Sequence, residues 1–392
     1  MSDPVAVPYG PLSYDGPPPA SGAWREGFAA GERLFLEVGD LTVGAGATIP
    51  DVRVAYQTWG TLNEDRSNAV YICHALTGDS HVTGEAGPGH LTSGWWDGLV
   101  GPGAPVDTDE WFVVCANVLG GCQGTTGPAS LAPDGRPWGS RFPVVTVADM
   151  VEVEHRVMQA LDIPSWALML GPSLGGMRVL EWMAEYPELV RSGLVLGTTA
   201  AVTADQIGTH ATQIAAIEAD PLFLGGDYYD QPAGQGPHAG MGIARRIAHL
   251  TYRSESELSL RFGRDAQGTE DPLAGGRYAV ESYLDHQADK LARRFDANTY
   301  IALTRAMSLF DVGDGRGGAA EALASLRAPL TVVGLDSDRL FPLRLQEELV
   351  AATPSALPLR VVRSPYGHDG FLVEKDQVGA IVRETLSSVP VA

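Results

Sequence analysis

Short apolar runs recur along the chain and alternate with loops and with segments of helical periodicity. Their length and their content of β-branched and aromatic residues are typical of strands. The predicted strands are Val52–Tyr56, Ala69–Cys73, Trp111–Cys115, Ala167–Leu170, Gly193–Leu196, Leu330–Val333 and Leu359–Val362. Several of these runs are almost continuously apolar, as in strands buried on both faces, so we predict a mostly parallel sheet.

Helical patterns separate the later strands. Between Thr146 and Leu161 apolar residues recur at helical spacing; Thr146 is placed to cap the first turn and Pro164 to stop the helix. Strands that alternate with helices in this way predict a sheet flanked by helices, which is the α/β fold class.

The interval 200–326 interrupts the alternation. Gly- and Pro-rich joints separate its helical segments, which are Ala204–Ala219, Gly242–Tyr252 and Asn298–Ser308. We interpret it as a helical insertion that forms a lid; a structural extension or dimer arm is the alternative. The core then comprises residues 31–199 and 327–392, and the Pro-, Gly- and Ser-rich residues 1–30 predict a poorly ordered lead-in.

Composition and charge narrow the class of protein. The 392 residues suffice for a large core in one or two domains, and the formal net charge of −21 disfavours nucleic-acid binding, which depends on Lys and Arg. We see no apolar run long enough to span a membrane and no secretion signal, so we expect no membrane partner and a cytoplasmic location.

The cysteines are odd in number and lack metal-ligand spacing, so we expect reduced thiols and no bound metal. Cys73 and Cys115 lie in predicted strands and are expected in the core. Cys122 lies in a Gly-rich stretch, where a reactive thiol is the alternative.

The stretch Gly171–Gly175 reads Gly-Pro-Ser-Leu-Gly and lies between a predicted strand and a helical pattern. This is the context of a nucleophile elbow. The turn is too tight for side chains near the serine, so glycines stand at positions 171 and 175. The Ser173 hydroxyl is then exposed above the sheet. The amide of Leu174 then points to where an oxyanion would form. A Gly-rich connection between a strand and a helix, with no catalytic role, is the alternative.

A serine nucleophile needs a base, and the base needs an orienting acid. In α/β-hydrolase chains the order is serine, acid, histidine. His368 is the only histidine after His286, and it follows the last predicted strand. Asp336 and Asp338 both follow the strand before it, and spacing alone does not separate them.

The second oxyanion donor is expected from the loop after an early strand. The stretch His74–Gly78 directly follows Ala69–Cys73 and fits this position. A metal or base role for His74 is the alternative, which we disfavour because His368 already has the right place in the chain order.

Collinear motifs over roughly residues 30–385 resemble the homoserine O-acetyltransferases of methionine biosynthesis. They are His74–His81, Gly94–Gly98, Asn117–Pro128, Ser173–Met177, Leu180–Trp182, Gln206–Gly208, Ala244–Tyr252, Gly276–Leu284, Ser337–Pro342 and Tyr366–Phe371. The resemblance implies an α/β-hydrolase fold with a helical lid insertion. It also implies a triad of Ser173 as nucleophile, Asp338 as orienting acid and His368 as base, and so selects Asp338 over Asp336.

The resemblance further implies how the substrates bind. Arg245 would bind the homoserine carboxylate and Asp369 its ammonium group; without the resemblance, Arg246 is as good a candidate as Arg245. The amides of Leu76 and Leu174 would form the oxyanion hole. Ser173 would take the acetyl group of acetyl-CoA, a co-substrate rather than a bound cofactor, and pass it to L-homoserine in a ping-pong reaction. We expect a homodimer.

Two departures from the family pattern leave alternatives open. Pro172 stands where Gly is expected and puts the elbow geometry in doubt, because proline lacks an N–H. Arg178 stands where Gln or Ala is expected; we expect a surface arginine, but in the acyl pocket it would favour succinyl-CoA as donor. Serine as acceptor, an esterase or thioesterase, and a non-catalytic binding protein are the remaining alternatives.

Overall fold

The predicted strands form one mixed sheet in the computed structural model, which describes residues 12–389. Its strands are β1 Leu34–Glu37, β2 Arg53–Trp59, β3 Ala69–Ile72, β4 Phe112–Ala116, β5 Leu168–Pro172, β6 Gly193–Leu196, β7 Leu330–Leu335 and β8 Arg360–Val362. Their order across the sheet is β1-β2-β4-β3-β5-β6-β7-β8. Strand β2 is antiparallel to β1 and β4, and the other neighbouring strands are parallel. The prediction of a mostly parallel sheet is confirmed, and β1, which the sequence analysis did not predict, adds an antiparallel strand at the edge.

Helices connect the strands and cover the sheet. They are α1 Val147–Ala160, α2 Leu174–Glu185, α3 Ala204–Glu218, α4 His238–Tyr252, α5 Glu255–Phe262, α6 Ala279–Arg294, α7 Ala297–Ser308, α8 Ala319–Ser325, α9 Leu343–Ala352, α10 Gly370–Val373 and α11 Lys375–Ser387. Thr146 caps α1 as predicted: its hydroxyl accepts from the Asp149 amide, and the Asp149 carboxylate accepts from the Thr146 amide at 2.7 Å. Within residues 12–389, no helix is both long and apolar enough to cross a bilayer.

Alternation along the central strands builds two apolar cores, one on each face of the sheet. In β3, Val70 and Ile72 face one core, and Tyr71 faces the other. Successive side chains of a strand point to opposite faces, so a strand that is apolar throughout serves both cores. This accounts for the continuous apolar runs of the sequence.

The helices α3–α8 lie between β6 and β7, so the predicted insertion is present as a helical segment. Helix α4 packs between α3 and α6, whereas α7 is largely buried. The function of the insertion as a lid stays a prediction.

The later part of the predicted lead-in is packed into the fold. Residues 20–24 are buried. The Gly22 amide donates to the Phe295 carbonyl at 3.0 Å, and the Trp24 amide donates to the Cys122 carbonyl at 2.9 Å. The expectation of poor order is therefore wrong for this stretch, while residues 1–11 lie outside the described residues.

A buried carboxylate fixes this segment and gives a stability prediction. Asp296 has no solvent exposure and accepts hydrogen bonds from Ser21, Tyr228 and Tyr229 hydroxyls and from the Thr299 amide, at 2.7 to 3.0 Å. We expect Asp296→Ala to lower the free energy of unfolding by roughly 3 kcal/mol, because it leaves buried donors unsatisfied. Urea unfolding measures this.

The matched control for that variant is Asp109→Ala, which removes an exposed aspartate. We expect its unfolding midpoint to stay at the wild-type value. Equal midpoints for both variants would show that Asp296 does not anchor the lead-in.

Candidate active site

The turn between β5 and α2 has the geometry of a nucleophile elbow. Ser173 has φ 55° and ψ −122°, a region that residues other than glycine rarely adopt. A Cβ on Gly171 would lie 2.5 Å from the carbonyl carbon of Gly175, and a Cβ on Gly175 would lie 2.0 Å from the Cys73 oxygen. Both contacts are with backbone, so this turn requires glycine at both positions.

Pro172 is compatible with this turn. It is the last residue of β5 and is paired with Leu196 of β6. The next amide, that of Ser173, donates to the Leu196 carbonyl at 2.9 Å, so the register of the sheet continues past the proline. The doubt that the sequence raised about the elbow is thereby removed.

The structure separates the two candidate acids. Asp338 Oδ2 lies 2.7 Å from His368 Nδ1, and its other oxygen accepts from the amides of Leu340 and Phe341 at 2.8 and 2.9 Å. Asp336 instead accepts from the Ser364 amide at 2.9 Å. Only Asp338 is therefore placed to orient the imidazole, with Nδ1–H toward the carboxylate and Nε2 free to act as a base.

Opposing effects set the basicity of His368. Burial lowers its pKa, because the imidazolium loses hydration, but the charge and hydrogen bond of Asp338 and the charge of Asp369 outweigh this effect. The pKa of His368 is raised above its usual value.

Ser173 and His368 line one cavity of about 480 Å³. Elements of the insertion line the same cavity, through Arg245, His249 and Tyr252 of α4. The Ser173 hydroxyl makes no hydrogen bond within the described residues; catalytic hydrogen bonds are often absent without substrate and form only in the substrate complex.

Two backbone amides are candidates for the oxyanion hole. Leu174 is the first residue of α2, and Leu76 lies in the loop after β3 and lines the cavity. In the part of the chain that the structure describes, neither amide donates a hydrogen bond. Both are available to an oxyanion beside Ser173.

His74 supports this loop from within. Its Nδ1 lies 2.8 Å from the Ala75 oxygen, and its Nε2 accepts from the Val118 amide at 3.0 Å. Burial, with the nearby charge of Arg178, lowers the pKa of His74 to about 3. The imidazole is neutral and fully hydrogen-bonded, which excludes the alternative base role.

Arg245 and Arg246 differ in their surroundings. Nε and Nη1 of Arg245 are buried and have no hydrogen-bond partner among residues 12–389, and its guanidinium lies 5.6 Å from the centre of the Tyr252 ring. Arg246 is paired with Asp285 at 2.7 Å. A guanidinium at the cavity wall with two buried, unsatisfied nitrogens suits a carboxylate ligand.

Asp369 lines the cavity next to His368. Burial raises its pKa, against the opposing charges of His368, Arg245 and Arg253. Arg253, which the sequence analysis missed, lies 3.4 Å from Asp369 and 2.6 Å from Glu257. The carboxylate of Asp369 therefore lies at the cavity wall beside the guanidinium of Arg253.

His249 is a second residue that the sequence analysis missed. It is buried at the cavity wall, its Nδ1 lies 3.1 Å from the Tyr283 hydroxyl, and its Nε2 lacks a partner in the described chain. Burial and the charges of Arg245, Arg253 and Lys290 lower its pKa to about 2, so it is neutral. Its place one helical turn after Arg245 was the available signal.

Both expectations for Arg178 are wrong. The side chain is completely buried rather than on the surface, and it is not part of the cavity wall. It is paired with Glu154. Its charge is thus already neutralised, which removes the reason for a succinyl donor.

The cysteines behave as core residues. Cys73 and Cys115 are buried, as expected, and Cys122 is buried as well. Burial raises the pKa of the Cys122 thiol well above its usual value, so the alternative of a reactive thiol fails.

One group of possible metal ligands, Glu32, His81 and His90, occurs in residues 12–389. The two imidazole rings are stacked, 3.7 Å apart and inclined by 14°. Lone pairs lie in the ring planes, so those of stacked rings run side by side and do not converge on one ion. The geometry does not form a metal site.

The chain is similar in sequence and in structure to known proteins of one fold. A family model of the alpha/beta hydrolase fold matches residues 68–375. A homoserine O-acetyltransferase of Thermobifida fusca (strain YX) is 57% identical over 379 residues, or 96% of this chain and 100% of the relative. The crystal structure of a homoserine O-acetyltransferase from Bacillus anthracis has a TM-score of 0.84 and 27% identity, and covers 92% of this chain and 99% of that one. Esterase E22 has a TM-score of 0.82 and 26% identity, and covers 91% and 99%.

Proposed function

The chain belongs to the homoserine O-acetyltransferases of the α/β-hydrolase fold, and we propose that it acts through an acetyl group carried on Ser173. It transfers an acetyl group to L-homoserine, a step of methionine biosynthesis. The observation that carries the proposal is the shared cavity. An oriented imidazole, a serine on an elbow and an unsatisfied arginine all face one space.

In the proposed first half-reaction Ser173 attacks the thioester carbon of acetyl-CoA. His368 Nε2 takes the serine proton while Asp338 holds Nδ1–H. The amides of Leu76 and Leu174 stabilise the tetrahedral oxyanion. When the C–S bond breaks, His368 returns its proton to the sulfur, and coenzyme A leaves an acetyl ester on Ser173.

In the second half-reaction the homoserine hydroxyl attacks that ester. Arg245 binds the carboxylate of homoserine, and Asp369 binds its ammonium group. Asp369 directly follows His368, so an amine held there directs the hydroxyl toward the base. His368 takes the hydroxyl proton and then gives it to Ser173 as O-acetylhomoserine forms.

Water competes with homoserine for the acetyl-serine. A well-oriented acceptor reaches an effective concentration of about 10⁵ M or more, far above that of water. Arg245 and Asp369 would provide this orientation, and the neutral His249 would accept or donate one further hydrogen bond. This is what distinguishes the proposed transferase from a hydrolase with the same triad.

The remaining proposals concern donor, assembly and location. Acetyl-CoA is the proposed donor because Arg178, the residue that suggested a succinyl donor, is bound to Glu154 and does not line the cavity. Exposed apolar side chains on α3 and α4, including Ile207, Ile243 and Leu250, support a homodimer. Free thiols support the cytoplasm.

Arg245→Met gives a direct prediction for acceptor binding. We expect the KM for homoserine to rise roughly 10- to 100-fold, because a charge-assisted pair with its carboxylate is lost. Formation of the acetyl-enzyme from acetyl-CoA should keep its wild-type rate, and steady-state and pre-steady-state thiol release measure the two quantities.

Arg246→Met is the matched control, since it lies on the same helix and is paired with Asp285. It should leave the KM for homoserine within about twofold of wild type. A similar rise in both variants would assign the effect to α4 as a whole and remove Arg245 from the acceptor site.

A donor and acceptor matrix tests the function. The purified protein is mixed with acetyl-CoA or succinyl-CoA, alone or with homoserine or serine, and thiol and amino-acid products are measured. We expect rapid turnover only with acetyl-CoA and homoserine together. Esterase E22 has the same fold, so a hydrolase is the alternative to be excluded. Acetate release at a rate that does not depend on any amino acid would indicate a hydrolase and contradict the proposed function.

A further inference from the structure

Arg178 is a completely buried cation that the proposed mechanism does not use. Its guanidinium makes two directed contacts. Nη1 donates to the Glu154 carboxylate of α1, and Nη2 donates to the backbone oxygen of His74 at 2.5 Å. The arginine thus joins helices α1 and α2 to His74, which lies in the same loop as Leu76.

The Glu154 carboxylate is itself held in place. Its second oxygen accepts from Trp182 Nε1 at 2.8 Å, and the residue is buried. A buried ion pair loses hydration on folding, and replacing such a pair with apolar residues is often neutral or stabilising. This pair is therefore expected to add little to the net stability of the fold. Its more plain effect is to fix the direction of the hydrogen bonds that Arg178 donates.

The two proposed oxyanion donors lie on the two parts that Arg178 connects. Leu174 begins α2, the helix that contains Arg178, and Leu76 lies two residues after His74. The two parts are also in backbone contact, since a Cβ on Gly175 would lie 3.2 Å from the His74 oxygen. A shift of the His74 carbonyl would change the distance between the two amides.

We propose that Arg178 is a positioning residue of the oxyanion hole, which fixes the His74 carbonyl and thereby the placement of the Leu76 amide relative to that of Leu174. The inference rests on the proposed acetyl-serine. Arg178 touches neither substrate nor the reacting atoms. It acts through the backbone of residues 74–76, and Glu154 fixes its guanidinium.

The expected kinetic effect follows from the loss of one well-placed donor. In Arg178→Met the His74 carbonyl loses the hydrogen bond that links it to α2, and we expect the Leu76 amide to move away from the oxyanion. We expect kcat to fall on the order of 100-fold, with the KM for homoserine within about twofold of wild type. Arg178→Lys, whose single ammonium can reach only one of the two partners at a time, should restore part of the rate.

Infrared spectroscopy of the acetyl-enzyme gives the readout that a purely structural role would not change. Isotope-labelled acetyl-CoA is supplied without homoserine, and the stretching frequency of the labelled ester carbonyl on Ser173 is recorded. Hydrogen bonds from the two amides lower this frequency. We expect Arg178→Met to raise it toward that of a free ester and Arg178→Lys to fall between.

Arg316→Met is the matched control. Arg316 pairs at 2.6 Å with Glu181, a buried residue of the same helix α2, and its hydrogen bonds go to Glu181, Glu185 and Val312 rather than to residues 74–76. It should lower stability without changing the carbonyl frequency. If Arg178→Met does not fold, Arg178→Lys and Glu154→Gln carry the test, because each weakens the same link.

The outcomes separate the two proposals. A wild-type protein that forms no acetyl-enzyme overturns the proposed function. The positioning role is overturned if the Arg178 variants form the acetyl-enzyme with an unchanged carbonyl frequency. It is also overturned if they lose only stability, as expected for Arg316→Met. Either result leaves the proposed function standing.

Discussion

Ser173→Ala is expected to lower turnover by about 10⁴-fold or more and to abolish the acetyl-enzyme, because the cavity then lacks the proposed nucleophile. The elbow should survive the change, since alanine differs from serine only by the hydroxyl. Thiol release from acetyl-CoA measures the rate, and the intact mass of the protein measures the acetyl group.

The control for this variant is Cys122→Ser, which tests the other nucleophile that the sequence suggested. Cys122 is buried and its thiol is protonated, so we expect activity within a few-fold of wild type. Normal turnover in Ser173→Ala would move the nucleophile elsewhere and contradict the proposal.

Asp338→Asn is expected to lower the acylation rate on the order of 10⁴-fold. The amide can donate to Nδ1, which favours the tautomer whose Nε2 carries a proton and cannot act as a base. Acetyl-enzyme formation in a rapid-mixing experiment measures this rate.

The pH dependence of the same step reports the charge of Asp338. Only neutral His368 accepts the serine proton, so the wild-type rate should fall as pH drops through the raised pKa of His368. In Asp338→Asn the depressing effect of burial is no longer outweighed, and the acid limb should move to lower pH.

Asp336→Asn is the control for both measurements. Its carboxylate accepts from the Ser364 amide and does not contact His368. We expect a nearly unchanged rate and an acid limb at the wild-type position. If the acid limb of Asp336→Asn shifted as far as that of Asp338→Asn, the basicity of His368 would not depend specifically on Asp338.

The parts of the fold that depend on local pattern could be predicted from the sequence. Continuous apolar runs predicted seven of the eight strands of the sheet, with only β1 missed, and Thr146 as a cap predicted the start of α1. The elbow was visible because its glycines and its serine are neighbours in sequence. These features depend on residues close together along the chain.

The choice between candidate site residues that are close together in sequence required the three-dimensional structure. Asp336 and Asp338 are two residues apart, and only the turn after β7 decides which carboxylate meets His368. Arg245 and Arg246 are adjacent, and they differ because Asp285 of α6 faces only one of them. Without the family resemblance, the sequence left both pairs open.

Long-range contacts explain what was missed. Glu154 lies on the apolar face of α1, four residues from Met150 and from Met158, and such a charge needs a buried partner. That partner, Arg178, lies on another helix, so its burial could not be predicted from its own surroundings. In the same way, the order of residues 20–24 depends on Asp296, far along the chain.

The central claim is that one acetyl group passes through Ser173 on its way to homoserine. The most direct test incubates the protein with acetyl-CoA alone, locates the acetyl group by peptide mass spectrometry, and then adds homoserine. We predict one acetyl group on the peptide that contains Ser173, and its quantitative transfer to O-acetylhomoserine. An unmodified Ser173 during active turnover, or an acetyl-serine that yields acetate whether or not homoserine is present, would contradict the account.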